Sequence, residues 1–177
     1  MWNFANPRGA FLAYCGGMIR TALVAVAEGP GSDARLGATS AAVRALLQGG
    51  AFVEVEYLVV PDEQAVIRSK LRILADGEHC DLILTLGGAG FGLRERAPEA
   101  TREVLERELP GLPEALRRAW AERDPRAGLY RGVCGVRRRS LILNLPSGPE
   151  AADTALRAVL PGLLLALGAL ESFPKGV

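Results

Sequence analysis

Histidine is almost missing from this chain: His79 is the only one among 177 residues. Hydrolases of the Ser-His-Asp or Cys-His kind need a histidine base, so that chemistry is excluded unless His79 serves. Cysteine is scarce too. Cys15, Cys80 and Cys134 are far apart, odd in number and form no C-x-x-C pair, which excludes the usual zinc spacings and a disulfide framework. Three isolated thiols read as small buried or idle side chains in a reducing compartment. Aromatic residues make up only 6% of the chain, with Trp2 and Trp120 standing alone, so no row of stacking platforms for single-stranded nucleic acid exists. Nor is there an excess of charge: 21 Lys and Arg against 20 Asp and Glu leave a net charge of +1. General attraction to nucleic acid or to an anionic membrane is thereby excluded as a partner class, and any phosphate binding has to be local.

A long apolar run is absent as well. The longest stretch, residues 159–170, is interrupted by Pro161 and Gly162 and falls short of the ~20 residues a bilayer needs. Residues 1–17 lack the basic start and long apolar centre of a secretory signal. They read as an amino-terminal extension, unless translation starts at Met18, and the expected compartment is the cytoplasm.

What is present is a globular profile, with 49% hydrophobic and 23% charged residues. Residues 18–177 suit a single domain that buries ~70% of its unfolded surface. Strand and helix signals alternate. Residues 20–27, 52–60 and 81–85 are short β-branched and apolar runs of strand length. Residues 28–37 read as a glycine-rich loop, and 39–48 as a helix closed by Gly49 and Gly50. Pro61 ends the second strand, and Asp62 stands where the N-cap of the next helix belongs. Pro98 and Glu99 open a helix that Pro110 and Gly111 end, followed by an amphipathic helix over 112–123. Strands over 133–136 and 141–145 are joined by Arg137, Arg138 and Arg139, a solvated hairpin tip. The closing helix, 150–170, is expected to bend or break at Pro161. Strands apolar on both faces and separated by helices indicate an α/β fold whose parallel sheet is covered on both sides.

Ligands of open α/β sheets bind beyond the carboxyl ends of the strands. Three segments fall there: residues 61–63, 87–95 and 146–149. Gly87, Gly88, Ala89 and Gly90 have so little bulk that their N–H groups can approach an anion closely. Asp62 and Glu95 could together hold a hard cation such as magnesium, which takes one or two carboxylates plus substrate phosphates. Arg94 and Arg96 flank Glu95 and could pair with phosphate.

The residues that carry a family pattern are PDEQ at 61–64, DLILTLGGAGFGLRERAPEAT at 81–101 and VCGVRRRSLILNLPSGP at 133–149. With these blocks the sequence, over about residues 18–172, resembles the molybdopterin-binding family of bacterial MogA and MoaB and of the G domains of plant Cnx and animal gephyrin proteins. The resemblance implies a three-layer αβα fold with a mixed, mainly parallel sheet, assembled as a homotrimer or a dimer of trimers. It also implies molybdenum cofactor biosynthesis: adenylylation of molybdopterin with Mg-ATP and release of pyrophosphate. Carried over by motif, Asp62 and Glu95 become the catalytic and magnesium-holding carboxylates. Gly87, Gly88, Ala89, Gly90, Arg94 and Glu99, with Pro146, Ser147 and Gly148, become the phosphate and ligand loops.

The sequence departs from the pattern inside those loops. Ala89 replaces a threonine, Glu95 an aspartate and Ala97 a threonine. Leu86 stands where a second threonine is common, Leu-Pro-Ser where Leu-Pro-Gly is usual, and Ala27-Glu28 where Ser-Asp is usual. Alternatives to the adenylyltransferase are therefore a non-catalytic molybdopterin- or nucleotide-binding carrier or regulator, and a nucleotide-pyrophosphate hydrolase of the competence-damage type.

Overall fold

The strongest apolar runs become the centre of one sheet. In a computed structural model that describes residues 17–29, 31–77 and 80–172, the strands are Ile19–Ala27 (β1), Phe52–Pro61 (β2), Leu82–Leu86 (β3), Arg107–Glu108 (β4), Cys134–Arg137 (β5) and Ser140–Leu145 (β6). Their order across the sheet is β2-β1-β3-β6-β5-β4. β2, β1, β3 and β6 run parallel, while β5 and β4 close one edge antiparallel. Every residue of β3 and β6 is buried, as a parallel strand with helices on both faces requires.

The helices are Asp33–Leu47 (α1), Gln64–Asp76 (α2), Ala97–Arg102 (α3), Gly111–Ala121 (α4) and Pro149–Glu171 (α5), with a 3-10 turn at Pro125–Leu129. Val43 and Leu47 of α1, Leu116 of α4 and the inner face of α5 pack on Leu23, Leu84 and Leu143 on one side of the sheet. Ile67, Leu71 and Leu74 of α2 with Ala97 and Ala100 of α3 pack on Val24, Ile83 and Ile142 on the other. The result is the expected three-layer αβα architecture. Cys80 and Cys134 are buried, and burial pushes the Cys134 thiol up to about 12. Cys15, His79, Trp2 and residues 1–16 of the extension lie outside the described residues.

Six expectations need correction. Helix α1 begins at Asp33, inside the segment read as a loop; Leu36, Ser40, Val43 and Leu47 form its buried stripe, which outweighs the cost of Gly37. β2 is an edge strand rather than a covered one, with Val53, Val55, Tyr57 and Val59 exposed. Helix α3 stops at Arg102, because residues 107–108 leave to pair with β5. Asp62 does not cap α2, whose N-cap is Glu63. The hairpin tip is not simply solvated: Arg137 Nη2 donates to Asp76 Oδ2 at 2.6 Å, and Arg138 forms an ion pair with Asp76 Oδ1 at 3.0 Å. These guanidiniums hold the Asp76 carboxyl below its ordinary range, against a smaller opposing effect of burial.

α5, finally, neither bends off nor breaks as expected but runs as one helix of 23 residues through Pro161. Next to that proline, a Cβ on Gly162 would stand 2.8 Å from Leu112 Cδ2, so the glycine allows α4 and α5 to approach closely. By length and composition α5 could cross a membrane, yet Ala152, Ala155, Leu156, Val159, Leu160, Leu163, Leu164 and Leu167 are buried in the core.

Candidate functional site

The chain reverses direction across the sheet at β1, with β2 on one side and β3 on the other. Such a switch point leaves a crevice at the carboxyl ends of the strands. Four strand ends deliver the site residues there: Glu28 after β1, Asp62 after β2, Gly87 after β3 and Pro146 after β6. Gly87 continues the sheet, its N–H donating to Leu145 O at 3.1 Å. At φ +86 and +66, Gly87 and Gly88 occupy the left-handed region that glycine tolerates. A Cβ on Gly88 would stand 2.8 Å from Val26 Cγ1, so the turn is pressed against β1 and admits no larger residue.

The N–H groups of this loop are already matched with carboxylates. Gly88 N–H donates to Glu28 Oε1 at 3.2 Å and Gly90 N–H to Glu95 Oε1 at 2.9 Å, while Gly92 N–H donates to Glu95 Oε2. The loop is thus an anion receptor in geometry, occupied by two acidic side chains of the same molecule. Its carbonyls are held from the other side by Arg131. Arg131 N–H donates to Ala89 O at 2.8 Å, Nε to Gly90 O at 2.5 Å and Nη2 to Glu95 O at 2.6 Å. The remaining nitrogen, Nη1, pairs with Glu99 Oε1.

Asp62 approaches from β2, its Oδ1 accepting the Arg96 N–H at 2.9 Å. Its Oδ2 is buried without a hydrogen-bond partner. Burial raises the Asp62 pKa above the ordinary carboxylate range and, after an opposing bond from Arg96, the charges of Glu28 and Glu95 raise it further. Mutual repulsion of carboxylates, with one oxygen left uncovered, is what a hard cation would relieve. Among the described residues no three His, Cys, Asp or Glu side chains come together to enclose a metal. The donor set therefore fits magnesium only as an ion that shares its coordination with ligand phosphates.

Glu99 sits in the first turn of α3. Burial raises its pKa, but the bond from Arg131, its own backbone N–H and the charges of Arg131 and Arg102 more than offset this and leave it below the ordinary range.

A cleft of about 1220 Å³ opens beside the loop, bordered by Glu28, Gly90, Glu95, Trp120, Ser147 and Gly148 among others. Gly148, at φ +102, caps the amino end of α5, and its N–H is fixed by Thr39 Oγ1 at 3.0 Å. The first turn of a 23-residue helix thus borders the cleft, where the N–H groups of Glu150 and Ala151 have no partner within the helix.

Of the residues singled out in the sequence, Gly90, Glu95, Pro146, Ser147 and Gly148 border this cleft. Gly87, Gly88 and Ala89 are the buried part of the loop. Arg94 is exposed and bonds to none of the described residues, Asp62 joins the site through Arg96, and Glu99 faces Arg131 instead of the cleft. Two functional candidates escaped the sequence. Glu28 was visible only as a departure from a familiar pattern, and Arg131, 41 residues from Gly90, left no local signal at all.

Residues 32–165 match the family described as probable molybdopterin binding domain. The chain is 40% identical over 111 residues to the molybdopterin adenylyltransferase of Helicobacter pylori strain J99, covering 63% of each. It is 42% identical over 106 residues to the molybdopterin adenylyltransferase of Escherichia coli K12, covering 60% of this chain and 54% of that one. The matches thus span less than two thirds of these relatives' length. The solved structure of the molybdopterin biosynthesis enzyme MoaB from Thermus thermophilus superposes with a TM-score of 0.81 at 46% identity, covering 90% of this chain and 100% of that one.

Proposed function

Since the chain belongs to the probable molybdopterin binding domain family, we propose that it is a molybdopterin adenylyltransferase that uses Mg-ATP and releases pyrophosphate. A phosphate oxygen of molybdopterin attacks the α-phosphorus of ATP. One P–O bond forms, the bond from the α-phosphorus to the bridging oxygen breaks, and pyrophosphate leaves with that electron pair. Nothing in this exchange calls for a histidine or a covalent intermediate, which suits a site whose working groups are carboxylates, backbone N–H donors and helix ends.

One observation carries the reading: an anion-receptor loop and the amino end of α5 border a single cleft of about 1220 Å³. That exceeds the ~300–1,000 Å³ typical of a site for one small ligand and leaves room for two substrates side by side. Ser147 and the first turn of α5 take the phosphates, with Gly90 and Gly148 lining the site, while Gly87, Gly88 and Ala89 shape the turn beside them. Pro146 directs the chain from β6 into the second loop, and Arg94, exposed on the glycine-loop segment, would swing toward the phosphates when they bind. Asp62 and Glu95 would hold magnesium together with the nucleotide phosphates, and the ion would neutralise their charge. The same reading places the protein in the cytoplasm as a homotrimer or hexamer; the exposed apolar side of β2 supports association.

Radiolabel at the α-phosphate of ATP is expected to appear in the pterin, and label at the γ-phosphate in pyrophosphate. Label released as free AMP would point to a pyrophosphate hydrolase instead. Tight molybdopterin binding with no transfer of label would point to a carrier.

A further inference from the structure

The donors of the glycine loop face carboxylates, but the shape of the loop is set from its other side. Arg131 contacts three features of it: Ala89 O through its backbone, Gly90 O through Nε and Glu95 O through Nη2. The two carbonyls taken by the guanidinium bracket the turn whose N–H groups grip the Glu95 carboxylate. We infer that Arg131 is the positioning residue of this site, fixing the Gly90-to-Glu95 turn and thereby the place of the Glu95 carboxylate.

Three observations support the assignment. The guanidinium makes a planar fork, which suits two carbonyls and a carboxylate in fixed directions and which an ammonium group cannot copy. Its mount is rigid: the neighbouring Tyr130 hydroxyl donates to Asn144 O at 2.5 Å, anchoring the segment to β6. A Cβ on Gly132 would fall 2.0 Å from the Tyr130 hydroxyl oxygen, so the chain on the other side of Arg131 is equally confined. Finally, Glu99 balances the charge from the first turn of α3. Arg131 thus ties the loop, α3 and the β6 layer into one piece. It does not border the cleft, so its effect on a ligand passes through Glu95 and Gly90.

The inference rests on the adenylyl-transfer reading for its kinetic consequence, though not for its structural one. The test compares the full-length wild type with Arg131→Lys, Arg131→Met and Arg131→Ala, measuring kcat and KM for molybdopterin adenylylation together with amide hydrogen exchange. Displacing a catalytic group by ~1 Å costs about 100-fold in rate, so Arg131→Met is expected to lose about that factor in kcat, with KM for molybdopterin near the wild-type value. Exchange should accelerate over residues 87–96 while β3 stays protected. Arg131→Lys should recover little of the activity, and millimolar guanidinium should restore part of it to Arg131→Ala. The assignment is overturned if Arg131→Met keeps the wild-type kcat, or if activity falls only in step with unfolding of β3 and β6. Should the wild type transfer no AMP, the proposed function fails alone. Exchange over residues 87–96 that is unchanged in Arg131→Met then overturns the positioning role by itself, and accelerated exchange upholds it.

Discussion

The Glu95 carboxylate is wrapped by its own loop: Oε1 accepts the Gly90 N–H at 2.9 Å, and Oε2 accepts the Gly92 N–H. A glutamate in place of the shorter aspartate can make this double contact because its extra methylene carries the carboxylate back over the turn. Glu95→Gln keeps the length but turns one acceptor into an N–H₂ that faces another donor. Steady-state kinetics should show adenylyl transfer reduced by about 100-fold or more, with thermal unfolding shifted only slightly. Wild-type turnover in Glu95→Gln would remove Glu95 from the chemistry.

Two glycines of the same loop should separate stability from function. In Gly90→Ala the new Cβ would meet Glu95 Oε1 at 2.5 Å, but a half-exposed side chain can swing away. The cost in stability should be near that of a lost hydrogen bond, about 1 kcal/mol, while the activity falls as in Glu95→Gln. In Gly88→Ala the Cβ meets Val26 Cγ1 at 2.8 Å and Ala97 Cβ at 3.3 Å, at φ +66. Neither neighbour can retreat, and urea unfolding should report a loss of about 2–4 kcal/mol.

Glu28 accepts the Gly88 N–H and adds negative charge next to Asp62, beside the phosphate site of the proposed function. In Glu28→Gln, calorimetric titration with ATP in the absence of magnesium should show roughly tenfold tighter binding. Weaker binding would instead make Glu28 part of the ligand's own surroundings.

Acid should loosen the clamp at Arg131. Burial raises the Glu99 pKa, but the Arg131 and backbone bonds, with the charges of Arg131 and Arg102, outweigh it and hold the group below its usual 4.5. The folded state therefore binds this proton less readily than the unfolded one. The stabilisation is complete above about 4.5 and disappears as pH falls through the lowered value. Urea unfolding of wild type and Glu99→Gln should differ at neutral pH and converge below that window. Asp62 carries the opposite sign, since its pKa is raised by burial, and is common to both proteins, so it cancels in the comparison. A constant gap down to strongly acid pH would contradict the assignment.

The buried centre of the fold was readable because β1, β3 and β6 are continuous apolar runs, and a parallel sheet needs those. Edges were harder. β2 alternates Val and Glu as a half-covered strand does, yet its neighbour on one side is solvent. Nearby glycines hid the start of α1, although the Leu36, Ser40, Val43 and Leu47 stripe was available to find it. At the site, glycine and carboxylate positions could be placed by spacing and resemblance. Their partners could not, since Asp62 reaches Arg96 across 34 residues and Arg131 reaches Gly90 across 41. Such contacts are set by tertiary packing and leave no period or punctuation in the chain.

The most direct test of the central claim is a single-turnover reaction of the purified protein with molybdopterin and Mg-ATP, followed by mass spectrometry of the pterin. Adenylylated molybdopterin should accumulate to about one equivalent per site, with matching release of pyrophosphate. Molybdopterin recovered unmodified from a protein that demonstrably binds both ligands would contradict the claim.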